Sequence, residues 1–234
     1  MTIIALGINH NTAPVELRER VAFAPEQLVN ALQQLTVDLK LSDTVILSTC
    51  NRTEIYCSGK QVNTEEILLW LSGFHQVSQS QLSQYVYDYH ELDACKHVMR
   101  VACGLDSLVL GEPQILGQIK QAYSMSKNAN AISSLFERLF QHTFSVAKQV
   151  RTDTEIGANA VSVAYAAVNL AKHIFGQLND AKVLLIGAGE TIELVARHLV
   201  EQGVNHMTVA NRTLARAQTL AETFSGHVIS LAEV

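Results

Sequence analysis

The sequence is poor in the features that mark a special environment. Of its 234 residues only 17% are charged, only three are proline and one is tryptophan. No uncharged apolar run approaches the ~20 residues that span a bilayer, so no membrane-crossing helix and no membrane partner are expected. The start, MTIIALGINHN, has a short apolar run without a basic leader or a small-residue cleavage site, and reads as a strand rather than a signal peptide. Basic excess is also missing: the formal net charge is −5, which argues against a nucleic-acid coat and leaves any nucleic-acid contact to a local basic face. The four cysteines, Cys50, Cys57, Cys95 and Cys103, form no CxxC pair and show no zinc-ligand spacing. No metal site is expected, and reduced thiols in a cytoplasmic setting fit best. Internal repeats and low-complexity segments are absent as well.

What is present is apolar texture, 48% of the chain, enough for one large or two modest domains. Residues 3–8 read as a buried strand. Pro25 opens a helix to about Lys40 with Leu28, Leu32 and Leu35 on one face. Residues 44–48 and 52–57 read as strands flanking the polar turn Thr49-Cys50-Asn51. Residues 64–72 and 91–103 read as helices, with a strand near 85–87 between them. Interleaved in this way, the first ~100 residues predict a compact α+β sandwich. The segment LVLGEPQILGQIKQAY reads as a loop and then a helix, with Pro113 at the first helical position. From about Ile132 the spacing of Leu135, Phe136, Leu139 and Phe140 is helical, interrupted by 152–155 and Gly157. A second helix is expected from Asn159 to Phe175.

At residue 182 the texture changes. Residues 182–186 (KVLLI) read as a continuous apolar strand, Gly187-Ala188-Gly189 as a turn, and 191–202 as a helix closed by Gly203. Strand 206–210, helix 213–224 and strand 227–231 follow, giving β-α-β-α-β, the first half of a doubly wound nucleotide-binding domain. The expected division is an α+β N-terminal domain over 1–145, connecting helices over 146–178, and an incomplete α/β Rossmann-like domain over 179–234.

Gly187-x-Gly189 sits between a strand and a helix start, where a pyrophosphate would meet free backbone N–H groups, although Ile192 stands where a third glycine is usual. After the second strand comes Asn211-Arg212-Thr213 rather than the acidic residue that would bind a ribose 2′-hydroxyl. An arginine there can pair with a 2′-phosphate through two hydrogen bonds, which favours NADPH. The competing reading is a bare βα turn with a surface arginine. Cys50 differs from the other cysteines in lying in a polar turn between apolar strands. Cys57, Cys95 and Cys103 lie inside elements, as small packed hydrophobes do. Arg52 beside the turn would favour the reactive thiolate. A thiol paired with a reduced nicotinamide suits reduction of an acyl group to an aldehyde, because a thioester accepts hydride more readily than a carboxylate.

Five stretches, LGINHNTAPVELRE, LSTCNRTEIY, GLDSLVLGEPQILGQ, SVAKQVRTDTEIGANAVSVAYAA and LLIGAGETIELVARHL with ANRT, make the chain resemble the glutamyl-tRNA reductase family over essentially its whole length. The GAG-plus-NRT signature is shared with shikimate dehydrogenases. The resemblance implies NADPH-dependent conversion of glutamyl-tRNA(Glu) to glutamate-1-semialdehyde, the first and committed step of five-carbon tetrapyrrole synthesis. It implies Cys50 as nucleophile and His97 as a residue important for activity. Thr49, Asn51, Arg52, Ser107, Glu112, Pro113, Gln114 and Gln118 would form the substrate pocket, with Arg52 at the glutamyl carboxylate. Gly187, Ala188, Gly189, Glu190, Thr191, Ile192, Asn211 and Arg212 would form the cofactor loop. Taken alone, His97 reads as a helix histidine, and Gln114 and Gln118 as one solvated helix face. The resemblance also implies an aminomutase partner that takes the semialdehyde. Members continue through a completed nucleotide domain and a helical dimerisation domain, so the family's homodimer is not expected of this chain. The alternatives are a shikimate-dehydrogenase-like NADP oxidoreductase, which needs no thiol, and a non-catalytic tRNA- or partner-binding fragment.

Overall fold

The computed structural model describes residues 1–156 and 163–234. The expected break at Gly157 and the helix start at Asn159 lie outside the described residues. Two compact units divide the chain, Met1–Ala160 and Val161–Val234.

The first unit is built on β1 (Thr2–Asn9), followed by a short helix α1 (Val15–Arg20) and the helix α2 (Pro25–Asp38). The strands β2 (Asp43–Ser48) and β3 (Arg52–Gly59) form a hairpin across the Thr49-Cys50-Asn51 turn. The helices α3 (Thr64–His75) and α4 (Gln79–Leu82), the strand β4 (Tyr87–His90) and the helices α5 (Glu91–Ala102), α6 (Gln114–Asn128) and α7 (Ser134–Asp153) complete it. The sheet order is β2-β3-β1-β4, antiparallel throughout. Successive side chains of a strand point to opposite faces, so a strand apolar at nearly every position must be covered on both. Helices cover both faces here. Ile4, Leu6, Ile8, Ile46 and Ile55 pack on Leu32, Leu35, Ile67 and Leu71. Ala5, Val45, Leu47 and Tyr56 pack on Val98, Val101, Ile119, Phe136 and Phe140. Pro25 and the Gln27 side chain open α2, Asn63 caps α3 by accepting from the Glu66 N–H at 2.9 Å, and Ser133 caps α7.

Element boundaries differ in places from the sequence expectation, and two short helices were not expected. β4 lies two residues later than 85–87, because Gly7↔Tyr87 through Ile4↔His90 is the register in which the segment pairs with β1. Pro113 is the residue before α6 rather than its first, a one-residue shift at a fraying end. The short helices α1 and α4 carry too few turns to show a periodicity.

The second unit holds α8 (Val163–Phe175), β5 (Lys182–Ile186), α9 (Glu190–Glu201), β6 (His206–Ala210), α10 (Leu214–Thr223) and β7 (His227–Ile229). Its parallel sheet has the order β5-β6-β7. Val168, Leu185, Ala196, Leu199, Met207, Val209, Ala217 and Leu220 form a separate core. This is the Rossmann-like β-α-β-α-β pattern. The apolar run of β5 predicts burial throughout, but β5 is the edge strand, and Leu184 and Ile186 are exposed at 44% and 57%. The last strand stops at Ile229 because Ser230 turns the chain, its N–H donating to Glu233 at 2.6 Å. Among the described residues no helix is long and apolar enough to cross a membrane, and no cluster of metal-ligating side chains occurs.

Candidate active site

The turn that carries Cys50 is shaped by its own side chains. The Thr49 N–H donates to the Arg52 carbonyl at 2.8 Å, and the Thr49 hydroxyl accepts from the N–H groups of Asn51 and Arg52, both at 3.2 Å. Cys50 is thereby left exposed at the tip, whereas Cys57 and Cys103 are buried and Cys95 is half-buried. Burial pushes the Cys57 thiol up to about 12, as expected of a packed and inert cysteine.

Below the turn, Arg52, Glu54 and Tyr56 alternate along β3 and so share one face of the sheet. Arg52 is only 2% exposed. Its Nη1 donates to Glu54 at 2.6 Å and its Nη2 to the Asp106 carbonyl. Glu54 also accepts from the Tyr56 and Tyr87 hydroxyls, and His97 Nε2 lies 2.9 Å from it. Tyr87 belongs to β4, two strands away from Glu54, with β1 between them. It can reach because the residue of β1 directly between them is Gly7, paired with both. A Cβ there would stand 2.6 Å from Glu54 Cγ and 2.7 Å from the Thr53 carbonyl. Burial alone would raise the Glu54 carboxyl, but Arg52 and His97 outweigh it and hold the group down to about 2. Arg52 stays charged in turn, and both tyrosines are raised by burial and by Glu54.

The loop from α5 to α6 supplies the remaining side chains. Gly104 and Gly111 both have φ near +78°, at 77 and 78, and the Gly111 N–H donates to the Gly104 carbonyl at 2.9 Å. A Cβ on Gly104 would meet Gly111 Cα at 3.0 Å, so the loop closes only with glycine. Arg151 on α7 clasps the far end, donating to the carbonyls of Gly111 at 3.1 Å and Glu112 at 2.7 Å. Asp106 lies 3.8 Å from His97 Nδ1 and 3.4 Å from Arg100. With Tyr89, Asp93 and Lys96 these residues line a cleft of about 440 Å³. Among the described residues the buried Ser107 hydroxyl and His10 Nδ1 have no hydrogen-bond partner. Glu112, Gln114 and Gln118 are half-buried and Pro113 is exposed, with Ile115 and Ile119 of the same helix packed in the core.

One expectation about the thiol is reversed. Arg52 turns inward to Glu54 and does not serve Cys50. Although Cys50 is exposed at the tip, partial desolvation by the surrounding protein and then Glu112 push its thiol up, opposed by its backbone hydrogen bond and by Arg18. His10 faces the same charges: burial lowers it, helped by Arg52 and Arg18, while Asp106 and Glu112 pull the other way. Sequence reasoning missed Arg18, His10, Glu54, Tyr87 and Asp106. Glu54 carried a signal of its own, a carboxylate in a largely apolar strand, while His10, Arg18 and Asp106 lie within the stretches that carry the family resemblance but were not singled out there.

In the second unit Gly187, at φ 114, turns the chain out of β5, and its N–H donates to the Ala210 carbonyl at 2.7 Å. Gly189 caps α9, leaving the first N–H groups of the helix directed outward past exposed Glu190 and Thr191. Ile192 lies against Gly187, 3.5 Å from where a Cβ would stand, which accounts for an apolar residue at the third position. Asn211 donates to the Thr213 carbonyl at 2.9 Å and leaves Arg212 exposed. The helix start without a side-chain cap and the exposed Arg212 guanidinium, unpaired among the described residues, fit a dinucleotide carrying a 2′-phosphate.

Comparison with known proteins agrees with these features. Residues 6–154 match the family described as "Glutamyl-tRNAGlu reductase, N-terminal domain", and residues 169–234 match "Shikimate / quinate 5-dehydrogenase". Glutamyl-tRNA reductase of Pseudoalteromonas translucida is 65% identical over all 234 residues, which cover 56% of that protein. The Photobacterium profundum protein of the same name is 58% identical, again over 100% of this chain and 56% of the relative. The solved glutamyl-tRNA reductase from Methanopyrus kandleri superimposes with a TM-score of 0.66 at 34% identity, covering 99% of this chain and 54% of that one. The chain thus spans about half the length of the relatives it matches, and over that span it belongs to the glutamyl-tRNA reductase family.

Proposed function

We propose that the chain takes the glutamyl group of glutamyl-tRNA(Glu) onto Cys50 and serves NADPH-dependent reduction to glutamate-1-semialdehyde, in the cytoplasm, at the entry to tetrapyrrole synthesis. The observation that carries this reading is one exposed cysteine on a hydrogen-bonded turn, set above a buried and charge-balanced network. The Cys50 Sγ adds to the ester carbonyl carbon. The ribose oxygen of the tRNA leaves with a proton, and a thioester remains. When bound, NADPH supplies the hydride that reduces the thioester carbonyl; expulsion of the thiolate then releases the aldehyde.

Thr49 and Asn51 keep the turn in shape. Ser107 offers an unpaired hydroxyl to the substrate, and Glu112 a carboxylate suited to the glutamyl α-ammonium. Pro113, Gln114 and Gln118 form the wall at the start of α6. Arg52 acts from beneath, holding the Asp106 carbonyl and thereby the Ser107 loop. His97, kept in place by Glu54, presents Nδ1 towards Asp106 and the cleft. Gly187 to Ile192, with Asn211 and Arg212, would hold the cofactor phosphates. The shikimate/quinate match covers only the nucleotide-binding part and leaves the thiol without a use.

The test is release of deacylated tRNA when the chain is mixed with glutamyl-tRNA. A burst of about one equivalent per chain is expected, lost in Cys50→Ser because the alcohol stays protonated near neutral pH. An undiminished burst from the serine variant would overturn the proposal.

A further inference from the structure

Arg18 was invisible as a site residue in the sequence, yet it reaches the turn that carries Cys50. It lies on α1, the short helix after β1. Its Nη1 donates to the Cys50 carbonyl at 2.7 Å and its Nε to the Ala13 carbonyl at 3.2 Å. These bonds tie the β2–β3 turn to the loop after β1 and, among the described residues, leave Nη2 uncommitted. Among the described residues Arg18 pairs with no carboxylate. Arg52, by contrast, spends both terminal nitrogens on Glu54 and Asp106 beneath the sheet surface. The charged groups facing the thiol are Arg18 from α1 and Glu112 from the loop before α6. His10, at the end of β1, faces both of them together with Arg52 and Asp106.

We propose that Arg18, not Arg52, is the cation of the thiol site: one arm of its guanidinium clamps the turn that carries Cys50, and its charge favours the thiolate against the opposing Glu112. A guanidinium suits both tasks, because it cannot lose its proton and its fork holds a carbonyl in fixed geometry. Arg18 is thus a positioning residue acting through Cys50, and the assignment rests on the reading of Cys50 as the nucleophile.

The test is the pH dependence of Cys50 alkylation by iodoacetamide in the intact chain, with peptide mass spectrometry separating Cys50 from Cys95. Arg18→Gln is expected to move the rate profile to higher pH and to slow alkylation near neutral pH about three- to tenfold. Arg18→Lys, which keeps the charge but loses the fork, should stay closer to the wild type. Glu112→Gln should shift the profile the other way. An Arg18→Gln profile superimposing on the wild type would overturn the proposal, and so would an Arg18→Lys as slow as Arg18→Gln. Should Arg18→Gln fail to fold, Glu112→Gln carries the test alone. Among the described residues Arg18 is then the one charge facing the thiol, so high salt must move the profile upward, and a salt-insensitive profile overturns the proposal. If the profiles shift as expected while wild-type chain takes no glutamyl group from the tRNA, the proposed function fails and the coupling of Arg18 to Cys50 stands.

Discussion

Glu54 receives four side chains, Arg52 and Tyr56 from its own strand, Tyr87 from β4 and His97 from α5. Its single negative charge keeps Arg52 charged in a place water does not reach. Glu54→Gln therefore leaves a buried guanidinium unbalanced, and the unfolding free energy should fall by about 3–5 kcal/mol. Urea unfolding measures this, and a loss below about 1 kcal/mol would mean that Arg52 finds its counter-charge elsewhere. Cys50 was legible in the sequence because a polar turn between apolar strands is a poor place to store a packing cysteine. Glu54 and the inward turn of Arg52 were not, because a strand sequence does not say which face is covered. A carboxylate in TEIY reads equally well as a solvent-facing residue until the helices over that face are known. Arg18 was hidden for a further reason: its target is a backbone carbonyl 32 positions along the chain, and a carbonyl has no sequence signature.

Among elements, β1 does more than complete the sheet. Gly7 is the gap through which Tyr87 reaches Glu54. Gly7→Ala must push β1 off β3 or displace Glu54, at a cost of about 1–3 kcal/mol. A lowered thermal midpoint together with slower acylation of Cys50 is expected; an unchanged protein would show that the gap is not needed. Helix α3 carries a different sensitivity. His75 packs against Phe23, ring centroids 4.4 Å apart, and burial lowers its pKa from 6.5 to about 4. The unfolded chain therefore binds a proton more readily than the fold across that window. The stability attached to His75 is complete above pH 6.5 and is lost as the pH falls towards 4. His75→Leu should flatten the unfolding midpoint between those values, and a midpoint as steep as wild type would assign the acid sensitivity to other groups. Most helices and strands were legible from apolar spacing, because long amphipathic segments state their own period. β4 slid by two residues because its register is set by β1, far back in the sequence, and the exposure of β5 depends on what stands beside it.

At the scale of the whole molecule, the proposed chemistry separates along the division into units. Every residue proposed to receive the glutamyl group belongs to Met1–Ala160, and the nucleotide turn belongs to Val161–Val234. Each unit has its own core, so each can keep its site in shape. In the sequence the texture changes only at residue 182, where an apolar strand runs into a glycine turn, whereas the second unit begins at Val161 and takes in α8. Acyl transfer to Cys50 then needs no nucleotide. The most direct measurement is mass spectrometry of the chain after mixing with glutamyl-tRNA in the absence of NADPH, followed by peptide mapping. The account predicts one glutamyl group per chain, on Cys50, removed by hydroxylamine as a thioester is; a chain that stays unmodified, or a glutamyl group found on any other residue, would contradict it.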